Sequence, residues 1–249
     1  MKKTLRYTLI IVLSLLLLFS FYIGYIYVTL PDVSILKKRI PGTTSIMNHY
    51  KAKYKKKKYR FVYRWVSFDR IPQILKDAVR ITEDFNFYHH KGIDIQEIKK
   101  AVEDTLEKGK KLRGASTITQ QLAKNLYLST ERSIFRKIKE YFITKRLEKE
   151  LGKDRIFEIY LNVIELGKGI FGFESAAQVF FHKHVWELNL EEILRIVAVI
   201  PKPLRVTPLS NSGYLKWRVR YILKKLLIYK KISQEDYDRI IVKFLRKKK

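Results

Sequence analysis

DRIFEIYLNVIELGKGIFGFESAAQVFF, residues 154–181, holds the choice between two fold classes. Its glycines, Gly167-x-Gly169-x-x-Gly172, match the fingerprint of a dinucleotide-binding loop, which would make the chain α/β. That fingerprint has meaning only where a strand leads into it and a helix follows. The run DRIFEIYLNVIEL ahead of the glycines is amphipathic at the helical period instead, and FESAAQVFF behind them is another short helix. The context removes the motif's meaning, and the segment reads as helix, Gly-punctuated turn, helix.

Working outward, the same period dominates. Upstream it persists from Ser116 to about Leu151, with a break near Ser129–Thr130. A further helix fits Ile95 to Leu106 and stops at the loop EKGKKLRGAS. Before it, Pro72 suits the first turn of a helix carrying Ile74, Leu75, Ala78 and Val79 on one face. That helix ends near Thr82, which puts Glu83 at its end or just beyond. RWVSFDR is a short extended candidate. Downstream, Asn189 with Glu192 forms a capping box that opens LEEILRIVAVI. PKPLRVTP is a loop. Helices then fit Tyr214–Tyr229 and, from the cap Ser233, Gln234–Leu245. No stretch alternates with period two, so the expectation is a mainly α domain.

The chain has 249 residues, 47% of them hydrophobic, enough for one domain with a real core. It has no Cys, which excludes a disulfide scaffold, a thiolate nucleophile and a Cys-ligated zinc site. A formal charge of +28 calls for polyanionic company: nucleic acid, anionic lipid or a phosphorylated substrate. The N-terminus chooses among these. From Tyr7 to Leu30 there is no charged residue, long enough to cross roughly 30 Å of hydrocarbon as a helix. Its apolar core is too long for a cleaved signal and lacks a small-residue ending. Residues 1–6 then read as a cytoplasmic tail, 7–30 as a transmembrane anchor, 31–64 as a basic juxtamembrane segment and 65–249 as the domain. Charge does not orient the anchor, since Lys2, Lys3 and Arg6 on one side match Lys37, Lys38 and Arg39 on the other. KAKYKKKKYR (residues 51–60) reads as a solvated run or as a strip on anionic headgroups.

Three stretches could carry chemistry. In ITEDFNFYHHKGID, residues 81–94, Glu83 and Asp84 sit among Phe85, Phe87, Tyr88 and His89–His90. In GASTITQQLAKN, residues 114–125, Thr117, Gln121, Lys124 and Asn125 share one helical stripe while Ile118 and Leu122 face the core. Such a stripe alone reads as solvent-facing, but its amides would also suit a sugar or phosphate in a cleft. In ERSIFRKIKE, residues 131–140, Arg132, Arg136 and Glu140 are four apart and Lys137 precedes Glu140 by three. That spacing gives ordinary helix ion pairs or a cationic patch holding one acid. His89–His90 and His182-x-His184 complete no zinc motif.

Taken in order, ED-x-x-F-x-x-H-x-G (83–92), G-x-STITQQ-x-x-KN (114–125), RK-x-x-E (136–140) and the spaced block K-x-x-x-x-E-x-YLN-x-x-x-x-G-x-G-x-x-G-x-x-x-A-x-x-x-FF (153–181) resemble a known family. It is the peptidoglycan glycosyltransferase, or transglycosylase, domain of class A penicillin-binding proteins. The resemblance spans about Trp65 to Leu226. It implies a lysozyme-like helical lobe with a smaller membrane-associated lobe, facing outward from a bacterial cytoplasmic membrane. The substrates it implies are lipid II and the growing glycan strand, alongside anionic membrane lipid and cell-wall synthesis proteins, with no nucleic acid. Glu83 takes the position of the family's base and Asp84 stands beside it at the substrate. Lys124, Arg132 and Lys137, with Arg136 nearby, are the implied diphosphate cations. Glu140 is a second acid acting directly or through a divalent ion (Mg or Mn), and no organic cofactor is implied. Ser116, Gln121 and Asn125 would position substrate.

Two departures stand out: Gly114–Ala115 where the family commonly has Gly-Gly, and Thr207–Pro208 where it has Asn-Pro. The rival readings are a lytic hydrolase with Glu83 as general acid and a non-enzymatic basic membrane protein. SILK (Ser34–Lys37) fits a transpeptidase Ser-x-x-Lys but lies beside the membrane segment with no such domain behind it. The expectation is therefore a monofunctional enzyme or the glycosyltransferase part of a longer one.

Overall fold

The computed structural model describes residues 2–55, 60–109, 116–131 and 133–245. It is mainly helical. The first helix, α1 (Lys2–Val28), is long and apolar enough between Thr4 and Val28 to cross a membrane, with a mean hydropathy of 2.6. Its side chains are almost all exposed except near its C-terminal end, where Ile26 is fully buried. There Arg146 donates to the Leu30 and Pro31 carbonyls at 3.1 and 3.2 Å, and Tyr22 meets Phe135 edge-on at 5.1 Å. The C-terminal end of α1 is thus seated on the domain.

After α2 (Ser45–Tyr54) and the short strand β1 (Val62–Tyr63) come α3 (Gln73–Glu83), α4 (Ile95–Lys108), α5 (Ile118–Tyr127) and α6 (Ile134–Glu150). Then follow α7 (Lys153–Val163), β2 (Glu165–Gly167), β3 (Ile170–Phe171), α8 (Phe173–Phe181), α9 (Leu190–Val199), α10 (Gly213–Ile228) and α11 (Gln234–Ile241). Helix α5 is central, packed on α6 and α7, while α3 packs on α9 and α10. Between them lies a core in which Phe87, Phe157, Tyr160, Phe171 and Phe173 are buried. Each such ring contributes roughly 1.5–3 kcal/mol through removal from water.

The caps explain why these helices begin where they do. Pro72 stands at the cap of α3, where its missing N–H costs nothing. Asn189 and Glu192 form the expected capping box on α9, and the Ser233 hydroxyl accepts from the Asp236 N–H at the start of α11. Thr117 and Gln120 make a further box on α5. Thr117, grouped by spacing with the amide stripe, is therefore the cap of that helix.

Two expectations change. Residues 31–64 are not a segment apart from the domain, because Val33, Leu36, Met47 and Tyr50 are buried in its core. Helix α2 begins inside that stretch, capped by the Thr44 hydroxyl, and SILK folds as a 3-10 turn with Leu36 inward. Its lysines hid a sparse apolar face. The glycine-punctuated turn is also more ordered than expected, since β1, β3 and β2 form a small three-stranded sheet in that order. β1 runs parallel to β3, and β2 antiparallel to it. Gly172 has φ 82°, and a Cβ there would run into the Asn162 carbonyl, so the glycine serves a close approach rather than a nucleotide.

Asn162 fastens this corner to the chain upstream. Its Oδ1 accepts from the Val66 N–H at 2.8 Å and its Nδ2 donates to the Val66 carbonyl at 2.9 Å. The side chain thus imitates a strand partner for RWVSFDR. Beyond it the chain turns once at Phe68–Arg70 and enters α3, which delivers Glu83.

Candidate active site

Helix α3 buries Leu75, Ala78 and Val79 and ends on Glu83, at the wall of a cavity of about 340 Å³. Phe85, Ser116, Thr117, Tyr221, Lys225 and Tyr229 also line this cavity. The Glu83 side chain is 11% exposed. Arg218 of α10 donates from Nη2 to Glu83 Oε1 at 2.9 Å, and Gln121 of α5 donates from Nε2 to Oε2 at 3.4 Å. The Tyr160 hydroxyl donates to Gln121 Oε1 at 3.1 Å, which turns the amide's N–H end toward Glu83. Burial, with the charges of Glu83 and Asp84, pushes the Tyr160 phenol well above its ordinary range, so it stays a donor.

Asp84 lines the same cavity, yet both its oxygens have partners. Oδ2 accepts from the Ile118 N–H at 2.9 Å, which ties the start of α5 to the end of α3. Oδ1 lies 2.9 Å from His90 Nε2. The Gly92 N–H donates to His90 Nδ1 at 3.1 Å, so the proton of a neutral imidazole sits on Nε2 and points at Asp84. The site carboxylate and the helix junction are thereby held together. Asp84, His90 and Asp94 are the only described group of three ligand atoms close enough to share an ion, lying within 4.8 Å. Asp94 in turn accepts from Asn86 Nδ2 and the Glu97 N–H.

The cations assemble one turn along α5. Lys124 is half-buried there, and Asn125 is buried beside it. Across from them on α6, Glu140 is 3% exposed. One of its oxygens takes Arg136 Nη1 at 2.9 Å and the other takes Lys137 Nζ. Burial, then the charges of Arg136 and Lys137, pull the Lys124 ammonium below the ordinary lysine range, against an opposing pull from Glu140. Lys137 Nζ also reaches Ser116 Oγ at 3.5 Å, and Ser116 lines the Glu83 cavity. Arg132 lies outside the described residues.

These residues do not fit a divalent ion at Glu140. Both its oxygens are occupied by cationic side chains, and a metal would have to enter among three positive groups. Glu140 instead holds Arg136 and Lys137 in place.

Two members of the site escaped the sequence reading. Tyr160 stood in the YLN of the spaced block with no role assigned to it. Arg218 had a usable signal, since it falls on the α10 face that buries Leu215, Val219, Ile222 and Leu226. An arginine on an apolar stripe needs a buried acid, and Glu83 is that acid.

Comparison with known proteins gives the family. The transglycosylase family profile matches residues 50–227. A biosynthetic peptidoglycan transglycosylase of Janthinobacterium sp. is 42% identical over 188 residues, covering 75% of this chain and 81% of that protein. Its counterpart in Bordetella pertussis is 37% identical over 223 residues, covering 87% and 88%. Penicillin-binding protein 1A of Aquifex aeolicus is 38% identical over 252 residues; the whole chain aligns, but spans only 34% of that longer protein. The matched region holds Glu83, Gln121, Lys124, Glu140 and Arg218, and the chain belongs to the transglycosylase family, the peptidoglycan glycosyltransferases with a lysozyme-like fold.

Proposed function

We propose that the protein polymerises lipid II into peptidoglycan glycan strands, with Glu83 as general base. The observation that carries this reading is the span of α5. Gln121 touches Glu83, and Lys124, three residues on and about 4.5 Å along the helix axis, belongs to the cation cluster. A base and a diphosphate site one helical turn apart suit a reaction that takes a proton at one end and releases a diphosphate at the other.

In that reaction the 4-hydroxyl of an acceptor GlcNAc attacks the anomeric carbon of the donor chain. A new C–O bond forms, the bond to the undecaprenyl diphosphate breaks, and the hydroxyl proton passes to a Glu83 oxygen. An ionised carboxylate is the form a base needs, and the Arg218 contact suits it. Negative charge grows on the departing diphosphate, where Lys124, Arg136 and Lys137 stand ready with no reorganisation at the moment of reaction. Ser116, at the seam between the two halves, is placed to position the donor. A lytic enzyme would have no diphosphate to meet and no use for this cluster.

The apolar span of α1 supports a protein of the bacterial cytoplasmic membrane, and use of lipid II would put the domain on its outer face. Residues 1–6 would lie in the cytoplasm. Helix α4 leaves Ile95, Ile98, Val102 and Leu106 exposed along one stripe, and Ile134 and Phe135 project beside α1. Such apolar surface fits a lobe resting in the interface.

The test is an incubation of the detergent-solubilised full chain with labelled lipid II. A muramidase-digestible polymer supports the proposal. No polymer, with shortened fragments from preformed glycan, would overturn it in favour of a hydrolase.

A further inference from the structure

Helix α10 carries a second stripe besides its core face. Tyr214, Trp217 and Tyr221 stand at positions i, i+3 and i+7, one above another along the helix. Their ring centroids are 5.8 and 6.1 Å apart, and the Trp217 and Tyr221 planes lie within 24° of parallel. Just past the helix end, Tyr229 lies against Phe85 at 4.5 Å and 30°. Phe85, Tyr221 and Tyr229 line the Glu83 cavity, so the row along α10 is continuous with it. Trp217 is 50% exposed and Phe85 44%. Of the three rings on α10 only Tyr221 packs against the core, partly buried, and the helix is seated there chiefly by its aliphatic face.

We infer that this row is a binding track for the glycan strand, outside the bond-forming centre. This rests on the glycosyltransferase reading. A pyranose presents a C–H-rich face, weakly positive, which settles on the electron-rich face of an aromatic ring. Its hydroxyls then need hydrogen-bonding partners, and two lysines are at hand: Lys202 Nζ lies over the Tyr214 ring, 4.3 Å from its centroid, and Lys225 Nζ lies over Tyr221 and Tyr229 at 5.8 and 5.7 Å. A membrane is the other surface that attracts tryptophan. The row favours sugar because it is continuous with the cavity and its members are aromatic rings set one above another along a single face. A strand held here stays near Glu83 between additions, so the track favours long products.

The experiment uses the full chain in detergent. Purified uncrosslinked glycan strands are titrated by calorimetry into wild type, Trp217→Ala and Trp217→Phe, with thermal melts confirming the fold. We expect Trp217→Ala to bind glycan on the order of tenfold more weakly and Trp217→Phe to recover most of that loss. From lipid II, Trp217→Ala should make shorter strands while its first transfer keeps the wild-type rate. Unchanged glycan binding by Trp217→Ala, or no glycan binding by wild type, overturns the track. So does a loss confined to binding anionic phospholipid vesicles, which would make the face a membrane contact. The two proposals fail separately: glycan binding through Trp217 without polymerisation sinks only the lipid II reading, and polymerisation with Trp217-independent binding sinks only the track.

Discussion

Arg218 and Glu83, 135 residues apart in the chain, meet at 2.9 Å at the rim of the cavity, each side chain 11% exposed. Helices α3 and α10 pack against each other, and this pair is the polar contact where that packing reaches the site. Removing one partner of such a pair strands the other charge away from water.

Arg218→Ala should therefore lower the transfer rate by on the order of tenfold or more, and its acid limb should move to higher pH, because losing an adjacent cation favours the protonated carboxyl. Arg218→Lys should recover part of both. A pH–rate profile checks this; an unchanged acid limb would make Arg218 a packing residue only.

Lys124 gives a second pH signature. Its ammonium is pulled below the ordinary lysine range, chiefly by burial. If the charged form meets the diphosphate, activity is present below that depressed pKa and falls as pH rises through it. Lys124→Arg should carry the alkaline limb to higher pH, since arginine stays charged. Glu140→Gln should carry it lower, because Glu140 opposes the depression.

Lys137→Ala should cost turnover about tenfold or more, whereas Lys55→Ala, at an exposed lysine within the basic run, should leave it nearly unchanged. Equal losses in steady-state assays would reduce the cluster to generic positive charge.

Much of this was legible because it is local. The Pro72, Asn189–Glu192 and Ser233 caps and the apolar periods mark α3, α9 and α11 without knowledge of the rest of the chain. Glu83 stands out as an acid among rings in a basic protein. The sheet was not legible, because its strands are two or three residues long and β1 finds β3 only through the tertiary fold. α2 was hidden because Lys51 and Lys53 share a short helix with the buried Met47 and Tyr50. Asp84 looked like a substrate neighbour, and only the folded chain shows it tying α3 to α5 through the Ile118 N–H.

Stability has its own test at Asn162. Its side chain satisfies both the N–H and the carbonyl of Val66, all of it buried. Asn162→Ala leaves those groups unpaired and should destabilise the domain by about 2–3 kcal/mol, read from denaturant melts. A change within experimental scatter would mean that water replaces the amide there.

The central claim is that Glu83 takes the acceptor's proton. The most direct measurement is the initial rate of labelled lipid II polymerisation by wild type and by Glu83→Gln, with melts showing equal folding. Glutamine keeps the shape and the Arg218 contact but cannot accept the proton. The rate should drop on the order of 10²-fold or more, while lipid II binding is retained. Polymerisation by Glu83→Gln at close to the wild-type rate would contradict the account.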